Sequence, residues 1–198
     1  MTYDFTTLID RRGRDALAID ALGYGTFPQP PKEGFDAIPM WVADMNFATV
    51  PTIPAALAER AQHPLYGYFF PTDAYYDAII TWQRERNGVT GLTRDHIGHE
   101  NGVLGGVVSA LGALCCRGDK VLLHSPTYIG FTSSIETAGY RIVHSPLTKD
   151  SEGVWRMDFA DMEQKITQHN IRAMVFCSPH NPTGRVWERS ELEQLIEL

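Results

Sequence analysis

The chain has 198 residues and 43% of them are hydrophobic, which is enough for one domain with a sizeable core and argues against a disordered protein. Its formal net charge of −7 argues against a nucleic-acid-binding protein, because such proteins usually carry a basic face. The composition is that of an acidic globular protein, so its function has to be sought in local motifs.

The N-terminal segment is predicted to be irregular. Glycines and prolines recur closely over residues 1–36, and such a run cannot hold a long helix or a central strand. A short apolar run, Ile-Pro-Met-Trp-Val-Ala, follows at residues 38–43. We interpret this part of the chain as an arm that precedes the main domain.

Helices and strands alternate in the rest of the chain. Helices are predicted at residues 54–62, 73–86, 102–116, 128–137, 158–169 and 188–198. Strands are predicted at residues 96–100, 120–124, 140–144 and 172–177. Asn87 and Gly88 should end the second helix, and Ser190 with Glu193 should cap the last one. The alternation implies an α/β fold with a mostly parallel sheet.

Two loops with binding potential directly follow predicted strands. Asn181 lies between two prolines in the run Ser-Pro-His-Asn-Pro-Thr-Gly, residues 178–184, so its amide is held ready to bind a ligand oxygen. Tyr128 follows the strand at residues 120–124, where its flat ring can stack on a planar ligand. The alternatives are a turn rich in proline and glycine, and a buried core tyrosine.

A glycine-rich helix start is the third candidate element. The run Glu-Asn-Gly-Val-Leu-Gly-Gly, residues 100–106, lies between a predicted strand and a predicted helix. The N–H groups of a helix N-terminus bind phosphate, and glycine permits close approach, although close helix packing is the alternative. Because all three elements follow predicted strands, they should meet at one edge of the sheet. A phosphorylated aromatic ring would use all three.

Several runs of residues match one enzyme family. They are Pro-Met-Trp-Val-Ala-Asp-Met at residues 39–45, Tyr-Gly-Tyr at 66–68, Ser-Pro-Thr-Tyr at 125–128, Arg-Met-Asp-Phe at 156–159, and the run at 178–187. Through them the chain resembles the pyridoxal-phosphate (PLP)-dependent enzymes of the class I/II aminotransferase superfamily, of the MalY/PatB type of cystathionine β-lyases. The resemblance implies the three-layer fold of the PLP-dependent transferase large domain, here incomplete. It implies an arm associated with the small domain at residues 1–48 and the N-terminal part of the large domain at residues 49–198.

The resemblance assigns a pyridoxal 5′-phosphate site to the three candidate elements. It implies that the backbone amides of Val103 and Leu104, together with Gly102, hold the cofactor phosphate. It implies that Tyr128 stacks on the pyridine ring and that Asn181 binds the phenolic oxygen of that ring.

The resemblance also implies a homodimer with a site at the interface. Tyr68 would reach the phosphate in the partner subunit, and Ala43 and Asp44 would line the substrate entrance. Asn46 stands where the family often has aspartate, which leaves the substrate preference open. The implied reaction is β-elimination from a sulfur amino acid such as cystathionine or a cysteine conjugate, giving pyruvate, ammonia and a thiol.

The catalytic lysine is expected beyond the last residue. The Schiff-base lysine of the family follows the Asn-Pro-Thr-Gly run, and none of the lysines in this chain has its serine-rich setting. These lysines are Lys32, Lys120, Lys149 and Lys165. We therefore expect a truncated chain that is inactive alone. The alternatives left open are a PLP-dependent aminotransferase, a non-catalytic protein that binds a partner, and a nucleotide-binding module that lacks the glycine fingerprint.

No motif of the sequence indicates a metal, membrane or secretory function. The 7 histidines are scattered without a His-Glu-x-x-His motif, and the 3 cysteines include no Cys-x-x-Cys pair. His180 is interpreted as a loop histidine, with a position bordering the cofactor as the alternative, and the basic cluster at residues 11–14 is interpreted as a solvated arm. No signal peptide or membrane-spanning run is visible, so we expect a cytoplasmic protein.

Overall fold

The computed structural model describes residues 3–198 and divides the chain into two compact units between Phe70 and Pro71. The domain boundary expected after residue 48 differs from this division. The assignment of residues 1–48 and 49–198 to two domains stays a prediction.

The first unit is mostly irregular. It contains the one-turn helix α1 (Leu17–Asp20) and the helix α2 (Thr52–Ala61). Trp41 donates its Nε1–H to the Ala18 carbonyl at 3.1 Å, and its ring centroid lies 5.0 Å from that of Phe27. These contacts hold the apolar run that contains Trp41 against the N-terminal arm.

Helices and strands alternate in the second unit, as the sequence predicts. The helices are α3 (Asp73–Asn87), α4 (Gly102–Leu114), α5 (Ile129–Thr137), α6 (Phe159–His169) and α7 (Arg189–Glu197). The strands are β1 (Lys120–Ser125), β2 (Arg141–Pro146), β3 (Thr148–Lys149), β4 (Trp155–Arg156) and β5 (Ala173–Val175). The predicted helices are confirmed with small shifts at their ends. No helix within residues 3–198 is long and apolar enough to cross a membrane.

The strand predicted at residues 96–100 is wrong. A 3₁₀ turn, Arg94–His96, occupies the start of this segment, and no strand follows it before α4 in the described chain. His96 Nδ1 accepts a hydrogen bond from the Thr93 N–H at 3.1 Å, which closes the turn where a strand would have to extend. The short antiparallel pair β3–β4 was not predicted, because strands of two residues carry no periodic pattern.

The cap of α7 also differs from the prediction. Glu188 precedes the helix and forms a capping box with Glu191, whose Oε2 accepts the Glu188 N–H at 2.7 Å. Ser190 and Glu193 lie inside the helix instead. The helix begins directly after Glu188, so the capping position falls on that residue.

A parallel three-stranded sheet forms the centre of the second unit. Its strand order is β2-β1-β5, so β1 pairs on both sides, with Leu122 opposite Val143 and Met174. The buried run at residues 121–124 fits this position, because a strand covered on both faces needs no polar alternation. The loops after β1 and β5 leave the sheet side by side at its carboxyl edge.

Two apolar clusters cover the two faces of the sheet. Val121 and Leu123 pack in a cluster with residues of α4 and α5. Leu122 packs in another cluster with Met162 of α6 and with partly buried leucines of α7. Alternate residues of β1 therefore face different helix layers, which confirms the three-layer α/β architecture.

Candidate functional site

The N-terminus of α4 is the first predicted element. Gly102 has φ +82°, which favours glycine, and its N–H donates to the Glu100 carbonyl at 2.9 Å. The side chain of Asn101, the residue before the helix, does not cap it, and Val103 is 81% exposed. The N–H groups of Val103 and Leu104 in the first turn therefore have no capping side chain, as a helix start that binds an anion requires.

The next two glycines of α4, Gly105 and Gly106, lie beside the Glu100 side chain. The Glu100 side chain lies against Gly105 and Gly106, where an added Cβ would be 3.7 Å from Glu100 Oε2 and Cγ, respectively. Both distances are ordinary van der Waals contacts, so a Cβ would fit at either position and the packing does not require glycine there.

The loop after β1 is the second element. Tyr128 directly precedes α5 and is 40% exposed, and Phe131 packs against its ring edge-on at a centroid distance of 5.6 Å. Gly130 leaves the space that this ring occupies, because an added Cβ would overlap the Tyr128 ring and lie 3.0 Å from Leu104 Cδ1. The glycine lets the Tyr128 ring and the start of α4 approach each other.

The loop after β5 is the third element. His180 is 3% exposed, and its Nε2 donates to the Pro126 carbonyl at 2.8 Å. Within the loop, the Gly184 N–H donates to the His180 carbonyl at 2.7 Å and the His180 N–H donates to the Arg185 carbonyl at 2.8 Å. Asn181 follows His180 on the exposed side of this turn, and its side-chain amide makes no hydrogen bond in the described part of the chain.

The start of α4 and the loops after β1 and β5 lie next to one another, but not for the reason that the sequence predicts. No strand directly precedes α4 in residues 3–198, so the expectation that all three elements follow strands is wrong for residues 100–106. The helix start joins the site through Leu104, beside Gly130. The loops after β1 and β5 are neighbours because these strands pair, and His180 binds Pro126 across them.

A pair of buried histidines belongs to the same edge of the sheet. His124, in β1, is 2% exposed, and its ring centroid lies 6.1 Å from those of His180 and Trp187. Burial, and secondarily the nearby His180 ring, lowers the pKa of His124 to about 4. Both ring nitrogens of His124 and Nδ1 of His180 are buried without a hydrogen-bond partner. His180 lies in a loop, as the sequence predicts, but it is buried beside His124. The alternation that places His124 on the face of Leu122 could have indicated the burial of His124.

An ion-pair network fixes the end of the loop after β5. Arg185 Nη2 lies 2.7 Å from Glu191 Oε2, and Arg185 Nε donates to the Trp155 carbonyl at 3.0 Å. Arg156 Nη1 lies 2.9 Å from Glu188 Oε1, and this guanidinium holds the pKa of Glu188 below its ordinary value. The network joins the loop to the β3–β4 pair and to α7.

Three further predicted site residues lie in the first unit. Tyr68 is fully exposed, and Ala43 is exposed. Asp44 forms an ion pair with Arg11 and accepts the Met45 N–H at 2.9 Å. The Arg11 guanidinium holds the pKa of Asp44 below its ordinary value. Arg11 is thus paired rather than simply solvated as the sequence predicts, and the roles of Tyr68, Ala43 and Asp44 stay predictions.

The lysines of the second unit are engaged outside the three elements. Lys120 Nζ lies 3.1 Å from a ring nitrogen of His169, and Lys149 Nζ lies 4.7 Å from the Trp155 ring centroid. Lys165 forms an ion pair within α6. Among the described residues, no three His, Cys, Asp or Glu side chains are grouped so as to hold a metal ion.

The sequence of this chain is similar to that of one family of known proteins. A model of the family described as aminotransferase class I and II matches residues 40–198. The cystathionine beta-lyase PatB of Bacillus subtilis (strain 168) is 37% identical over 163 residues, which cover 82% of this chain and 42% of PatB.

Solved structures share the fold. The PLP-bound C–S lyase from Staphylococcus hominis has a TM-score of 0.81 at 31% identity, and the alignment covers 100% of this chain. The PLP-bound putative aminotransferase from Clostridium difficile 630 has a TM-score of 0.85 at 30% identity, and the alignment covers 99% of this chain. Each alignment covers 48% of the other protein, so the chain spans less than half the length of the relatives it matches.

Proposed function

The chain belongs to the family of class I and II aminotransferases, and we propose that the protein containing it is a PLP-dependent carbon–sulfur β-lyase. Its substrate is a sulfur-containing amino acid such as cystathionine or a cysteine conjugate, and its products are pyruvate, ammonia and a thiol. One observation carries the proposal. The uncapped start of α4 lies beside the loop after β1, and His180 joins that loop to the one that carries the unpaired Asn181 amide, in a chain that is 37% identical to a cystathionine beta-lyase.

The start of α4 fits the phosphate of the cofactor. The N–H groups of Val103 and Leu104 have no capping side chain, and the helix dipole adds a favourable potential for an anion. Gly102 supports this role because its left-handed φ turns the chain into the helix and its missing side chain leaves open space. We therefore assign the phosphate to these three residues.

The loops after β1 and β5 fit the aromatic ring of the cofactor. The exposed ring of Tyr128 provides a flat face for stacking. The unpaired amide of Asn181 can bind the phenolic oxygen, and its position between two prolines limits the entropy lost on binding.

The residues of this chain would bind and orient, whereas PLP supplies the electron sink for bond cleavage at the amino acid. Tyr128 and Asn181 would fix the plane of the ring, and the start of α4 would fix its phosphate. The Arg185 network and the His180 hydrogen bond hold the Asn181 loop in place. Such fixed placement of the reacting groups lowers the entropic part of the barrier.

A PLP-dependent aminotransferase is the second candidate. The observation in its favour is the TM-score of 0.85 with the putative aminotransferase from Clostridium difficile 630. PatB shares 37% identity over 163 residues of this chain, whereas the alanine aminotransferase of Mycobacterium bovis shares 36% over 121 residues, so the longer match favours the lyase.

We further propose a homodimer in which Tyr68 reaches the phosphate bound by the partner subunit. Tyr68 lies in an exposed aromatic run with Tyr66 and Phe69, and such a run indicates a contact surface. Ala43 and Asp44 line the substrate entrance in this proposal, and the Arg11 ion pair supports it by fixing the Asp44 carboxylate.

We propose that the 198 residues alone bind the cofactor without catalysing the reaction. The partners of Lys120, Lys149 and Lys165 support this, since each of these lysines is engaged outside the three cofactor elements. A cytoplasmic location stays a prediction, supported by cysteines that form no disulfide.

The reaction is tested with the protein produced from its natural gene. Purified protein with PLP is given cystathionine without any keto-acid acceptor, and pyruvate is measured over time. A lyase releases pyruvate over many turnovers under these conditions, whereas an aminotransferase stops when its cofactor has accepted one amino group. Multiple turnovers only after addition of a keto acid would contradict the lyase proposal. The 198-residue chain serves as the control and should release no pyruvate.

A further inference from the structure

We propose that His180 is a positioning residue that holds the Asn181 loop against the Tyr128 loop through its Nε2–H. The inference rests on the proposed function, because the two loops carry groups assigned to the same cofactor ring. His180 Nε2 lies 2.8 Å from the Pro126 carbonyl oxygen, and the two residues are 54 positions apart in sequence. Pro126 lies two residues before Tyr128, and His180 directly precedes Asn181.

The chemistry of the partner fixes the tautomer of His180. A carbonyl oxygen can only accept a hydrogen bond, so the proton has to be on Nε2. Nδ1 is buried without a partner, which agrees with a lone pair rather than a second N–H at that position. His180 is 3% exposed, so solvent water does not reach its imidazole to replace the hydrogen bond to Pro126.

This hydrogen bond is the link between the two loops. The other hydrogen bonds hold each loop internally or to the sheet, such as Gly184 N–H to the His180 carbonyl and Leu147 N–H to the Ser125 carbonyl. In the described part of the chain, no other hydrogen bond joins residues 125–131 to residues 177–187. Without this hydrogen bond, only side-chain packing would fix the distance between Tyr128 and Asn181.

A role in packing makes a different prediction from a role as a donor. The His180 ring lies among the rings of His124 and Trp187, at centroid distances of 6.1 Å and 5.8 Å. Phenylalanine at position 180 keeps an aromatic ring there but has no donor. Glutamine lacks the ring but keeps an N–H that can bind a carbonyl oxygen.

The test uses His180→Gln and His180→Phe in the protein produced from its natural gene, with the Kd for PLP as the readout. We expect the phenylalanine variant to bind PLP about tenfold more weakly, because a net hydrogen bond is worth up to roughly 1.5 kcal/mol. The glutamine variant should stay within about threefold of the wild type. His169→Phe is the matched control, since His169 lies at the end of α6 outside the site, and its Kd should not change. Tight binding by the phenylalanine variant combined with weak binding by the glutamine variant would overturn the proposal.

A second measurement needs no variant. Nitrogen NMR of histidine-labelled wild-type protein should show His180 with its proton on Nε2, both with and without PLP. A proton on Nδ1 alone would overturn the proposal. A wild-type protein that binds no PLP would refute the proposed function, and the NMR measurement would still decide whether His180 joins the two loops.

Discussion

Replacement of Gly130 by alanine should move the Tyr128 ring while the domain stays folded. The added Cβ would overlap the Tyr128 ring and lie 3.0 Å from Leu104 Cδ1. Gly130 lies in α5, and its φ is outside the left-handed region, so its backbone admits alanine. The substitution therefore acts on the side chains of the site and not on the backbone.

Opposing effects determine the free energy of unfolding of this variant. Alanine in place of glycine stabilises a helix by about 1 kcal/mol, whereas overpacking costs about 1–3 kcal/mol. The Tyr128 ring is 40% exposed and can rotate towards solvent, so we expect a net change within about 1 kcal/mol. The displaced ring would lose its proposed stacking on the cofactor, worth about 0.5–1.5 kcal/mol, so the Kd for PLP should rise about two- to twelvefold.

Gly112→Ala is the matched control for this experiment. A Cβ at Gly112, in α4, has ordinary van der Waals contact with Tyr140 Oη at 3.8 Å. This variant should gain about 1 kcal/mol in unfolding free energy and bind PLP like the wild type. Urea unfolding gives the stability, and titration with PLP gives the Kd. If Gly130→Ala binds PLP as tightly as Gly112→Ala, then the Tyr128 ring is not part of the cofactor site and the reasoning fails.

The buried charges give two further predictions. Glu191→Ala should lower the free energy of unfolding by about 3 kcal/mol, because it leaves the Arg185 guanidinium without its closer carboxylate partner. The side chains of Arg185 and Glu191 are only 12% and 11% exposed, so water replaces this ion pair poorly. Glu193→Ala, at an exposed position, should change it by less than about 0.5 kcal/mol, and an equal effect of the two substitutions in urea unfolding would contradict the assignment. The protein should also become less stable as the pH falls from 7 to 5, because His124 has a pKa of about 4 when folded and 6.5 as its ordinary value, so the unfolded state takes up more protons in this window. Linkage gives a loss of about 2 kcal/mol in the free energy of unfolding between pH 7 and pH 5. Urea unfolding at the two pH values should detect this loss in the wild type and not in His124→Phe. An equal loss in the variant would assign the pH dependence to other groups.

Local patterns predict the helices and the parallel strands because each has a signal within a few residues. Gly88 has φ +66° at the end of α3, as its position after Asn87 predicts. The apolar run of β1 predicts a strand, and its burial pattern in the structure is that of a strand covered on both faces. The same reasoning fails at residues 96–100. The apolar residue Ile97 favours a strand there, whereas the hydrogen bond between the Thr93 N–H and the His96 side chain closes a turn.

Contacts between distant residues are not predictable from such patterns. Motifs identify Gly102, Tyr128 and Asn181 as candidates, since glycine, aromatic and amide residues have recognisable uses beside strands and helices. The hydrogen bond between His180 and Pro126 spans 54 positions, and nothing in either loop indicates its partner. The candidate residues could therefore be named from the sequence, whereas the side chains that hold them in place could not.

The strand order β2-β1-β5 decides whether one cofactor ring can contact both loops. β5 pairs with β1 although α5, β2, β3, β4 and α6 lie between them in sequence. Neighbouring strands are about 5 Å apart, so the loops that follow β1 and β5 begin one strand spacing from each other. If β5 paired with β2 instead, those loops would begin about 10 Å apart, and His180 could not donate a hydrogen bond to Pro126. The pairing of β1 with β5, more than any residue of the loops, is what brings the Tyr128 loop and the Asn181 loop close enough to form the proposed site.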